Sequence, residues 1–522
     1  MTPKASGLLL CFALAAGPAF AAPAVEVAVG DGPFVRTDAA APLAGQRVRL
    51  RVAPVPGARV RWVQLVRDVT KMYKNANFPW DPDPYQWVGL AEIRADREPL
   101  PRFDGLWEVE PFPAGRRVKP REWTGRYSSR IAESEYYHPD AGSFWFQAEV
   151  ETDGRVERVP AQGVRVSVRD GPGFLGWLSS YLNVPGVFGS ITAQANGHLG
   201  VDCADAVTAA WAKYTGRPLT ENLNVAALVS RLPHAAEFDW GEGGVAGGRG
   251  IRWGTDVRPG DFLAVRYPGA RSFQHVGALV SDADGDGRLT PGDRVLHAGP
   301  LPLAYDRAGS APFQGHVVVL RPESPIVERP ISFGAQRVQA TAGYIKAHYG
   351  EDRPDGRIRP RMIVLHWTGS DSIEADFQTF DREVLPRERA DIAGGGDVNV
   401  SAHFLVGKDG RILRLMPEDR MARHVIGLNL EAIGIENVGG TGDRPTLTQA
   451  QIGADAWLVR ELKDRFPGIQ YLIGHHEYRR FEGTPLWKES DSSYRTVKSD
   501  PGDKFMAAVR SRVADLGLKD SP

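Results

Sequence analysis

The sequence predicts a multidomain chain with an N-terminal β-sandwich, an α+β middle domain and a C-terminal α/β domain built on a mixed sheet. Three observations lead to this fold class. The length of 522 residues exceeds what one hydrophobic core usually serves. Strand-like alternation occupies residues 24–168. Helical segments, the first at 173–182, followed by strands occupy 170–322. A Pro-rich join (321–325 with Pro330) precedes apolar runs at 331–515 around a long amphipathic helix, which the capping box Thr448-Gln-Ala-Gln451 opens.

The N-terminal region alternates apolar and polar side chains in four segments separated by turns rich in Gly, Pro and Asp. These segments are residues 46–52, 59–65, 142–150 and 163–168. A period of two with such breaks is typical of an antiparallel β-sandwich, here immunoglobulin-like without the disulfide. Trp80, Tyr85 and Trp87 fall in a predicted loop, where they either pack internally or offer a binding surface.

Residues 1–21 have the pattern of a secretory signal peptide. Lys4 supplies a positive start, residues 8–16 are apolar, and Ala19-Phe20-Ala21 fits a cleavage site. The apolar run is too short to span a bilayer, and we expect no later membrane span. The 63 basic and 64 acidic residues leave a net charge of −1, which gives no general attraction for nucleic acid. We therefore expect an exported protein, in a periplasm or outside the cell.

Four segments of the C-terminal region carry residues that can build a hydrolytic metal site. They are Val364-Leu-His-Trp-Thr368, Gly434-Ile-Glu-Asn437, Gly474-His-His-Glu477 and Lys498-Ser-Asp-Pro-Gly502. His366, His475 and Asp500 are good zinc ligands, and a catalytic zinc keeps three protein ligands and one open position. Glu436 and Lys498 are able to move protons. The two histidines directly follow apolar runs, and residues at strand ends converge along one edge of a sheet.

In this order the segments resemble the zinc-dependent N-acetylmuramoyl-L-alanine amidases, the family that includes the AmpD-like enzymes and the peptidoglycan recognition proteins. The resemblance covers about residues 331–515 and includes Ser401-Ala-His-Phe-Leu-Val406 and Arg423-His-Val425. Two histidines of these segments are not counted as ligands. We expect His403 under the sheet and His424 at the substrate groove.

The resemblance implies a role for each of the five candidate residues. His366, His475 and Asp500 would bind Zn²⁺. Glu436 would be the general base that deprotonates the attacking water, and Lys498 would stabilise the oxyanion that forms on the attacked carbonyl.

Two features depart from the compact members of that family. His475 is followed by His476, and because strand residues alternate between faces, only one of them can ligate; the motif favours His475. Residues 478–497, which include Trp487 and several charges, form an insertion before Asp500. We expect this insertion to cover or shape the substrate groove.

Cys203 is the only cysteine left after removal of the predicted signal peptide, because Cys11 lies within that peptide. It is therefore either a small buried hydrophobe or a thiol with a use. It opens a predicted helix, and three further segments follow it along the chain. The four segments are Gly200-Val-Asp-Cys-Ala-Asp205, Arg258-Pro-Gly-Asp-Phe262, Gln274-His-Val-Gly-Ala278 and Leu296-His297.

These segments resemble the NlpC/P60 cell-wall peptidases, which have a papain-like fold. The resemblance implies that Cys203 is the nucleophile, His275 the base and His297 the third group, which orients the base. A helix N-terminus and a nearby imidazole lower the pKa of a thiol, which would give a thiolate at neutral pH. The family's usual Ser after the cysteine is Ala204 here, so a degenerate binding module is the alternative to an active peptidase.

Residues 282–293, between the two histidines, match an EF-hand-like calcium loop. Carboxylates stand at loop positions 1, 3, 5 and 12, and glycine stands at position 6. The predicted Ca²⁺ ligands are Asp282, Asp284, Asp286, Arg288 and Asp293. Position 12 is Asp, as in dockerin-type loops, and no flanking helices are evident, so the ion would brace a β-hairpin. An acidic turn without an ion is the alternative.

Both resemblances point to one polymer. An amidase that cuts between the muramoyl lactyl group and L-Ala, beside a fold that cuts within stem peptides, predicts a peptidoglycan hydrolase acting on the wall or on muropeptide fragments. The alternative is a wall-binding recognition protein with degenerate sites. Glu436 and Asp500 favour the enzyme, because a binding-only relative needs neither. A toxin delivered to the walls of competitors would use the same chemistry.

Overall fold

A computed structural model describes residues 24–75, 88–89, 93–115, 136–241, 244–246, 250–299, 301–386, 389 and 392–522. The predicted signal peptide and the loop aromatics Trp80, Tyr85 and Trp87 lie outside the described residues. The described part of the chain contains five β-sheets and eight α-helices. Several sheets with separate cores confirm a multidomain architecture.

The N-terminal region consists of two facing sheets with one core. Its strands are β1 (Val25–Val29), β2 (Val35–Arg36), β3 (Ala39–Ala40), β4 (Val48–Val52), β5 (Arg59–Arg67), β6 (Tyr73–Lys74), β7 (Val88–Gly89), β8 (Ala95–Pro99), β9 (Glu108–Phe112), β10 (Gly142–Thr152) and β11 (Arg155–Val168). The two facing sheets have the orders β2-β1-β4-β9 and β3-β11-β10-β5-β8, whereas β6 and β7 form a separate three-stranded sheet with a strand of the middle region. Alternate residues such as Leu50, Trp62 and Phe146 fill the space between the sheets. All four predicted strands are present, and the immunoglobulin-like assignment stays a prediction.

The middle region places helices against one long sheet. Its elements are α1 (Gly173–Ser179), β12 (Val187–Phe188), α2 (Thr192–Gly197), α3 (Cys203–Thr215), α4 (Val225–Arg231), β13 (His234–Gly241), β14 (Gly244–Val245), β15 (Phe262–Arg266), β16 (His275–Ser281), β17 (Arg294–His297), β18 (Ala304–Arg307) and β19 (His316–Leu320). The order of this sheet is β14-β13-β19-β15-β16-β17-β18. Helices followed by strands agree with the predicted α+β pattern. The first helix ends at Ser179, three residues before the predicted end.

The C-terminal region is a mixed sheet between helices. Its elements are β20 (Ile326–Glu328), α5 (Ala335–Tyr349), β21 (Met362–Trp367), α6 (Ile373–Asp381), β22 (Phe404–Val406), β23 (Ile412–Arg414), β24 (Ala432–Asn437), α7 (Gln449–Arg465), β25 (Tyr471–Gly474) and α8 (Asp503–Arg512). The order is β20-β23-β22-β24-β21-β25, with β24, β21 and β25 parallel. This sheet begins within the Pro-rich join, five residues before the predicted boundary at 331, because β20 pairs with β23.

The helix α7 confirms the predicted capping box. The hydroxyl of Thr448 accepts a hydrogen bond from the Gln451 backbone N–H at 3.2 Å, and the Gln451 side chain accepts one from the Thr448 N–H at 2.9 Å. The apolar face of α7 packs with α8 on one side of the sheet, against Ile363 and Leu365 of β21. Met362 and Val364 face α5 on the other side. Both faces of β21 are therefore buried.

No helix among the described residues combines the length and apolarity needed to cross a bilayer.

Candidate metal centre and active site

Three predicted site residues lie in one row across neighbouring parallel strands. His366 on β21 is paired in register with Glu436 on β24. On the other side of β21, Leu365 is paired with Gly474, the last residue of β25. His475 directly follows Gly474 and therefore lies beside His366. Because all three strands are parallel, these residues meet at one sheet edge. The prediction that strand ends converge at one site is confirmed.

His366, His475 and Asp500 form a compact cluster, called the ligand cluster below. The Nδ1 atoms of His366 and His475 are 3.0 Å apart. The Asp500 Oδ2 atom lies 3.1 Å from Nδ1 of His475 and 3.4 Å from Nδ1 of His366. All three side chains are buried, and one atom from each lies within 4.8 Å of the others.

The ligand cluster has the composition and spacing of a catalytic zinc site. Ligand atoms about 2.0–2.2 Å from a tetrahedral zinc lie roughly 3.3 Å from one another. The observed separations of 3.0–3.4 Å agree with that edge length. Two nitrogens and one carboxylate oxygen leave one corner open. The residues present therefore fit a Zn²⁺ ion with a free fourth position.

The electrostatics of the cluster favour the protonation states that a cation needs. Burial, together with His475, lowers the pKa of His366 to about 4, so this ring is neutral near pH 7. Burial alone would raise the pKa of Asp500, but His475 and His366 outweigh it and hold that pKa well below its usual range. The cluster thus offers an imidazole lone pair and an ionised carboxylate.

Glu436 lies in a different environment from Asp500. Burial, and then the nearby charges of Asp500 and Asp376, raise its pKa well above the ordinary value. Its Oε2 atom is buried and has no hydrogen-bond partner among the described residues. A buried carboxylate with a free oxygen beside a ligand cluster is suited to accept a proton from water or substrate.

A cavity of about 530 Å³ opens over the cluster. Glu436, Lys498 and all three cluster residues line it. The predicted insertion contributes Tyr494, Thr496 and Val497 to its wall, so the expectation that the insertion shapes the groove agrees with the structure. Val497 stands at the rim with 91% of its surface exposed.

Comparisons with known proteins match the same region. Residues 356–503 fit the family model for N-acetylmuramoyl-L-alanine amidases. The C-terminal region carries a domain of this family. The endolysin of Klebsiella phage KP32 is 31% identical over 86 residues, which are 16% of this chain and 56% of the endolysin. The chain therefore spans about half the length of that curated relative.

Solved structures of amidases and recognition proteins are also similar. The N-acetylmuramoyl-L-alanine amidase LysC from Clostridium intestinale URNW has 20% identity and a TM-score of 0.24, with 38% of this chain and all of LysC covered. Bumblebee PGRP-SA has 18% identity and a TM-score of 0.23, with 32% of this chain and 87% of PGRP-SA covered.

The other histidines of the amidase domain have separate roles. His475 and His476 both lie in a short 3₁₀ helix (His475–Phe481), so strand alternation does not separate them as predicted. The His476 ring faces the Asp500 backbone carbonyl and Asp503, outside the cluster. His403 is fully buried between the Arg420 carbonyl and the Gly434 N–H, at 2.8 and 3.0 Å. His424 lines the cavity, as expected for a groove residue, and also contacts His366.

The insertion is anchored on the amidase domain at two points. The buried carboxylate of Glu489 lies 3.0 Å from Nδ1 of His348 on α5. The Trp487 ring packs on Gly427, where a Cβ atom would lie 2.8 Å from the ring, so only glycine fits. The insertion wall of the cavity is therefore held by specific contacts.

In the middle region, the structure brings two of the three predicted residues together. Nε2 of His275 lies 2.9 Å from Nδ1 of His297, and Nε2 of His297 lies 3.4 Å from an oxygen of Asp306. The Cys203 Sγ atom lies 4.0 Å from the backbone carbonyl of Gln274, the residue before His275. Within the described residues, the thiol makes no hydrogen bond to the His275 ring.

The electrostatics of Cys203 are opposite to the prediction. Burial and the adjacent Asp202 carboxylate raise the pKa of the thiol, and they outweigh backbone hydrogen bonds at the start of α3. Burial and His297 lower the pKa of His275 to about 3. Burial, and then the Asp202 carboxylate that caps α3 beside the sulfur, oppose the thiolate expected at neutral pH, and the nucleophile role of Cys203 stays a prediction.

The predicted calcium loop connects β16 to β17, so its placement on a β-hairpin agrees with the structure. Carboxylate oxygens of Asp282, Asp284 and Asp293 lie within 4.8 Å of one another. Asp293 is buried and accepts hydrogen bonds from Trp253 and the Thr290 and Ala283 backbone. Asp286 and Arg288 are exposed and lie outside this group of three.

Sequence reasoning missed two contacts that complete these sites. Nothing in the sequence indicated that Asp306 would face His297, because it lies on β18, which was not predicted. The segment Arg423-His-Val425 marked His424 as part of the amidase pattern but not its contact with a ligand. Hydrogen bonds between side chains on different elements leave no periodic signal in the sequence.

Proposed function

We propose that this chain is an exported, zinc-dependent peptidoglycan hydrolase that cleaves the amide bond between N-acetylmuramic acid and L-alanine. The observation that carries the proposal is the ligand cluster, with Glu436 in register beside it at the floor of an open cavity. The family match over residues 356–503 supports the same reaction. The pattern of residues 1–21 supports export to a periplasm or to the medium.

Five residues of the chain have distinct roles in the proposed reaction. His366, His475 and Asp500 would hold Zn²⁺, which when bound supplies Lewis-acid activation of water and of the substrate carbonyl. Glu436 takes the proton of the attacking water as the C–O bond forms. Lys498 stabilises the negative charge on the carbonyl oxygen. When the C–N bond breaks, the proton on Glu436 passes to the amino group of L-alanine.

Mass spectrometry of purified peptidoglycan digested by the mature chain with zinc tests this proposal. Free stem peptides beside peptide-free glycan are the expected products. An Asp500→Ala variant, which lacks one cluster residue, should release none of them. Binding to peptidoglycan without any cleavage by wild type would instead favour the recognition-protein alternative.

A second activity is proposed for the middle region, a cysteine endopeptidase acting on stem peptides. The specific observation in its favour is the chain of contacts His275–His297–Asp306, which orients an imidazole near the start of α3. Asp306 accepts from His297, and His297 in turn accepts from His275, so the other nitrogen of His275 is left as a base. Because burial and the Asp202 carboxylate raise the pKa of Cys203, His275 would have to take the thiol proton as the sulfur attacks.

The same digestion separates the two activities. Cuts inside the stem peptide that vanish in Cys203→Ala, while amidase products persist, would establish the endopeptidase. Unchanged products in Cys203→Ala would leave the middle region as a binding module. A toxin that attacks the walls of competitors and an enzyme that remodels its own wall would release the same products.

Calcium binding by residues 282–293 remains a proposal supported by the sequence pattern and by the convergence of Asp282, Asp284 and Asp293. Added Ca²⁺ should raise the melting temperature of the wild type but not that of Asp282→Asn. Equal melting temperatures with Ca²⁺ and with a calcium chelator would remove the proposal.

A further inference from the structure

His424 links a ligand histidine to the backbone. Its Nδ1 atom lies 3.0 Å from Nε2 of His366, and its Nε2 atom lies 3.4 Å from the backbone carbonyl oxygen of Ala432. Both histidines are buried, with 1% of the surface of His366 and 9% of the surface of His424 exposed. His366 uses its other nitrogen, Nδ1, in the ligand cluster.

The carbonyl sets the direction of these hydrogen bonds. A carbonyl oxygen only accepts, so the Nε2 atom of His424 must carry its hydrogen. Burial keeps an imidazole neutral, so Nδ1 of His424 is then a lone pair. That lone pair faces Nε2 of His366, which must donate. The remaining nitrogen of His366 is left as a lone pair in the ligand cluster.

We propose that His424 is a positioning residue that fixes the tautomer and ring orientation of His366, so that its Nδ1 lone pair is presented to the metal. The inference rests on the proposed zinc function and goes beyond it, since His424 contacts neither metal nor reacting atoms. A partner on the second nitrogen of a ligating histidine raises ligand basicity and metal affinity.

The surroundings of His424 hold it in place for this task. The backbone N–H groups of His424 and Val425 both donate to Oδ1 of Asn429, at 2.9 and 2.8 Å. The side-chain amide of Asn429 donates to the Tyr349 hydroxyl at 2.9 Å. The ring rests on β24 at Gly434, where a Cβ atom would lie 2.7–2.8 Å from ring atoms. Any larger residue at position 434 would displace the ring.

Three substitutions separate the hydrogen bond from packing. His424→Phe keeps the ring volume but removes the acceptor. His424→Asn keeps an acceptor at the position of Nδ1. Gly434→Ala keeps the histidine but displaces its ring, because the added Cβ would lie 2.8 Å from Nδ1, the atom that faces His366. The matched control is His198→Phe, the same change at a buried histidine of the middle region, which stacks on Tyr181.

The first measurement is the zinc affinity of each full-length variant, by competition with a chelator of known affinity. We expect His424→Phe and Gly434→Ala to bind zinc about 10–100-fold more weakly than wild type. His424→Asn should recover most of this loss, and His198→Phe should bind like wild type. Equal affinity in wild type and His424→Phe overturns the inference, whereas failure of wild type to bind zinc overturns the proposed function.

The second measurement needs no metal and no activity. In metal-free protein labelled with ¹⁵N-histidine, ring NMR shifts report which nitrogen of His366 carries the hydrogen. We expect Nε2–H in wild type and in His424→Asn, and a shift toward Nδ1–H in His424→Phe, where Asp500 becomes the best acceptor. An Nδ1–H tautomer in wild type contradicts the inference even when zinc binds tightly.

Discussion

The guanidinium of Arg169 forms a bidentate ion pair with the carboxylate of Asp464, 295 residues further along the chain. The two N–O distances are 2.5 and 3.0 Å. Arg169 also donates to the Ala41 carbonyl at 2.9 Å and lies over the Trp177 ring. The side chains are only 7% and 12% exposed, so this pair is a buried joint between the end of β11 and the amidase domain.

We expect Asp464→Asn to loosen this joint. The substitution leaves the Arg169 charge buried with a weaker partner, and breaking a buried ion pair costs about 3–5 kcal/mol. Thermal unfolding and limited proteolysis should show a less stable interface. Glu221→Gln, which breaks the exposed pair with Arg231, is the control and should change little. Equal protease resistance of Asp464→Asn and wild type would contradict a structural role for the pair.

Glu436→Gln should abolish amidase activity while zinc remains bound. The amide has the shape of the carboxylate but cannot take a proton, and a general base contributes about 10²–10⁴-fold to rate. Rates of stem-peptide release and zinc content, measured on the same sample, check this. Glu374→Gln, an exposed carboxylate on α6, should keep full activity. Full activity of Glu436→Gln with bound zinc would remove Glu436 as the base.

Asp455 makes the stability of the amidase domain depend on pH. This carboxyl on α7 is fully buried and accepts one hydrogen bond, at 2.9 Å, from the Asn437 side chain. Burial raises its pKa to about 7, and the bond from Asn437 offsets only part of that effect. The folded state therefore holds a proton that the unfolded state loses near its ordinary pKa of 3.8.

The free energy of unfolding of the amidase domain therefore falls as pH rises. The contribution of Asp455 is fully present below about pH 4 and is lost as pH rises to about 7, by at most about 4 kcal/mol. We expect Asp455→Asn to melt higher than wild type at pH 8 and much closer to it at pH 4.5. Asp96→Asn on the first domain is the control. Parallel melting curves of Asp455→Asn and wild type across this range would show that Asp455 is ionised in the fold.

Cys203 should react slowly with iodoacetamide at pH 8. Burial and the Asp202 carboxylate raise its pKa, so little thiolate is present. Asp202→Asn keeps a side-chain cap on α3 but removes the charge, so alkylation should become several-fold faster. Because burial raises the pKa of Asp202 itself to about 7, the two proteins should react alike at pH 5.5. Equal rates at pH 8 would show that Asp202 does not control the thiol.

Local patterns predicted most of the secondary structure, and the reason differs by element. The capping box of α7 lies within four consecutive residues, so Thr448 and Gln451 were sufficient to predict where the helix begins. The strand β21 was visible because both its faces are buried and its residues form one apolar run. By contrast, β3 and β12 contain two residues each and depend on pairing with distant strands, which no local period reveals.

The candidate amidase site was predicted residue by residue, but its electrostatics were not. His366, His475 and Asp500 each follow a recognisable segment, and the sheet then brings them together. The raised pKa of Cys203 depends on how deeply α3 is packed and on where the Asp202 carboxylate points. Burial is a property of the whole fold, and a motif of six residues does not contain it.

Glu436, His366 and His475 lie in one row at the edge of the sheet, so the spacing of the strands sets the distances between them. Adjacent strands are held about 4.8 Å apart by their hydrogen bonds, and that spacing does not depend on the loops that follow. Glu436 and His366 therefore keep their separation when the surrounding loops are exchanged, and the end of β25 fixes where His475 begins. Side chains of residues 478–497 that line the cavity can change, altering which wall fragments enter, as long as Lys498 and Asp500, which follow them, keep their positions.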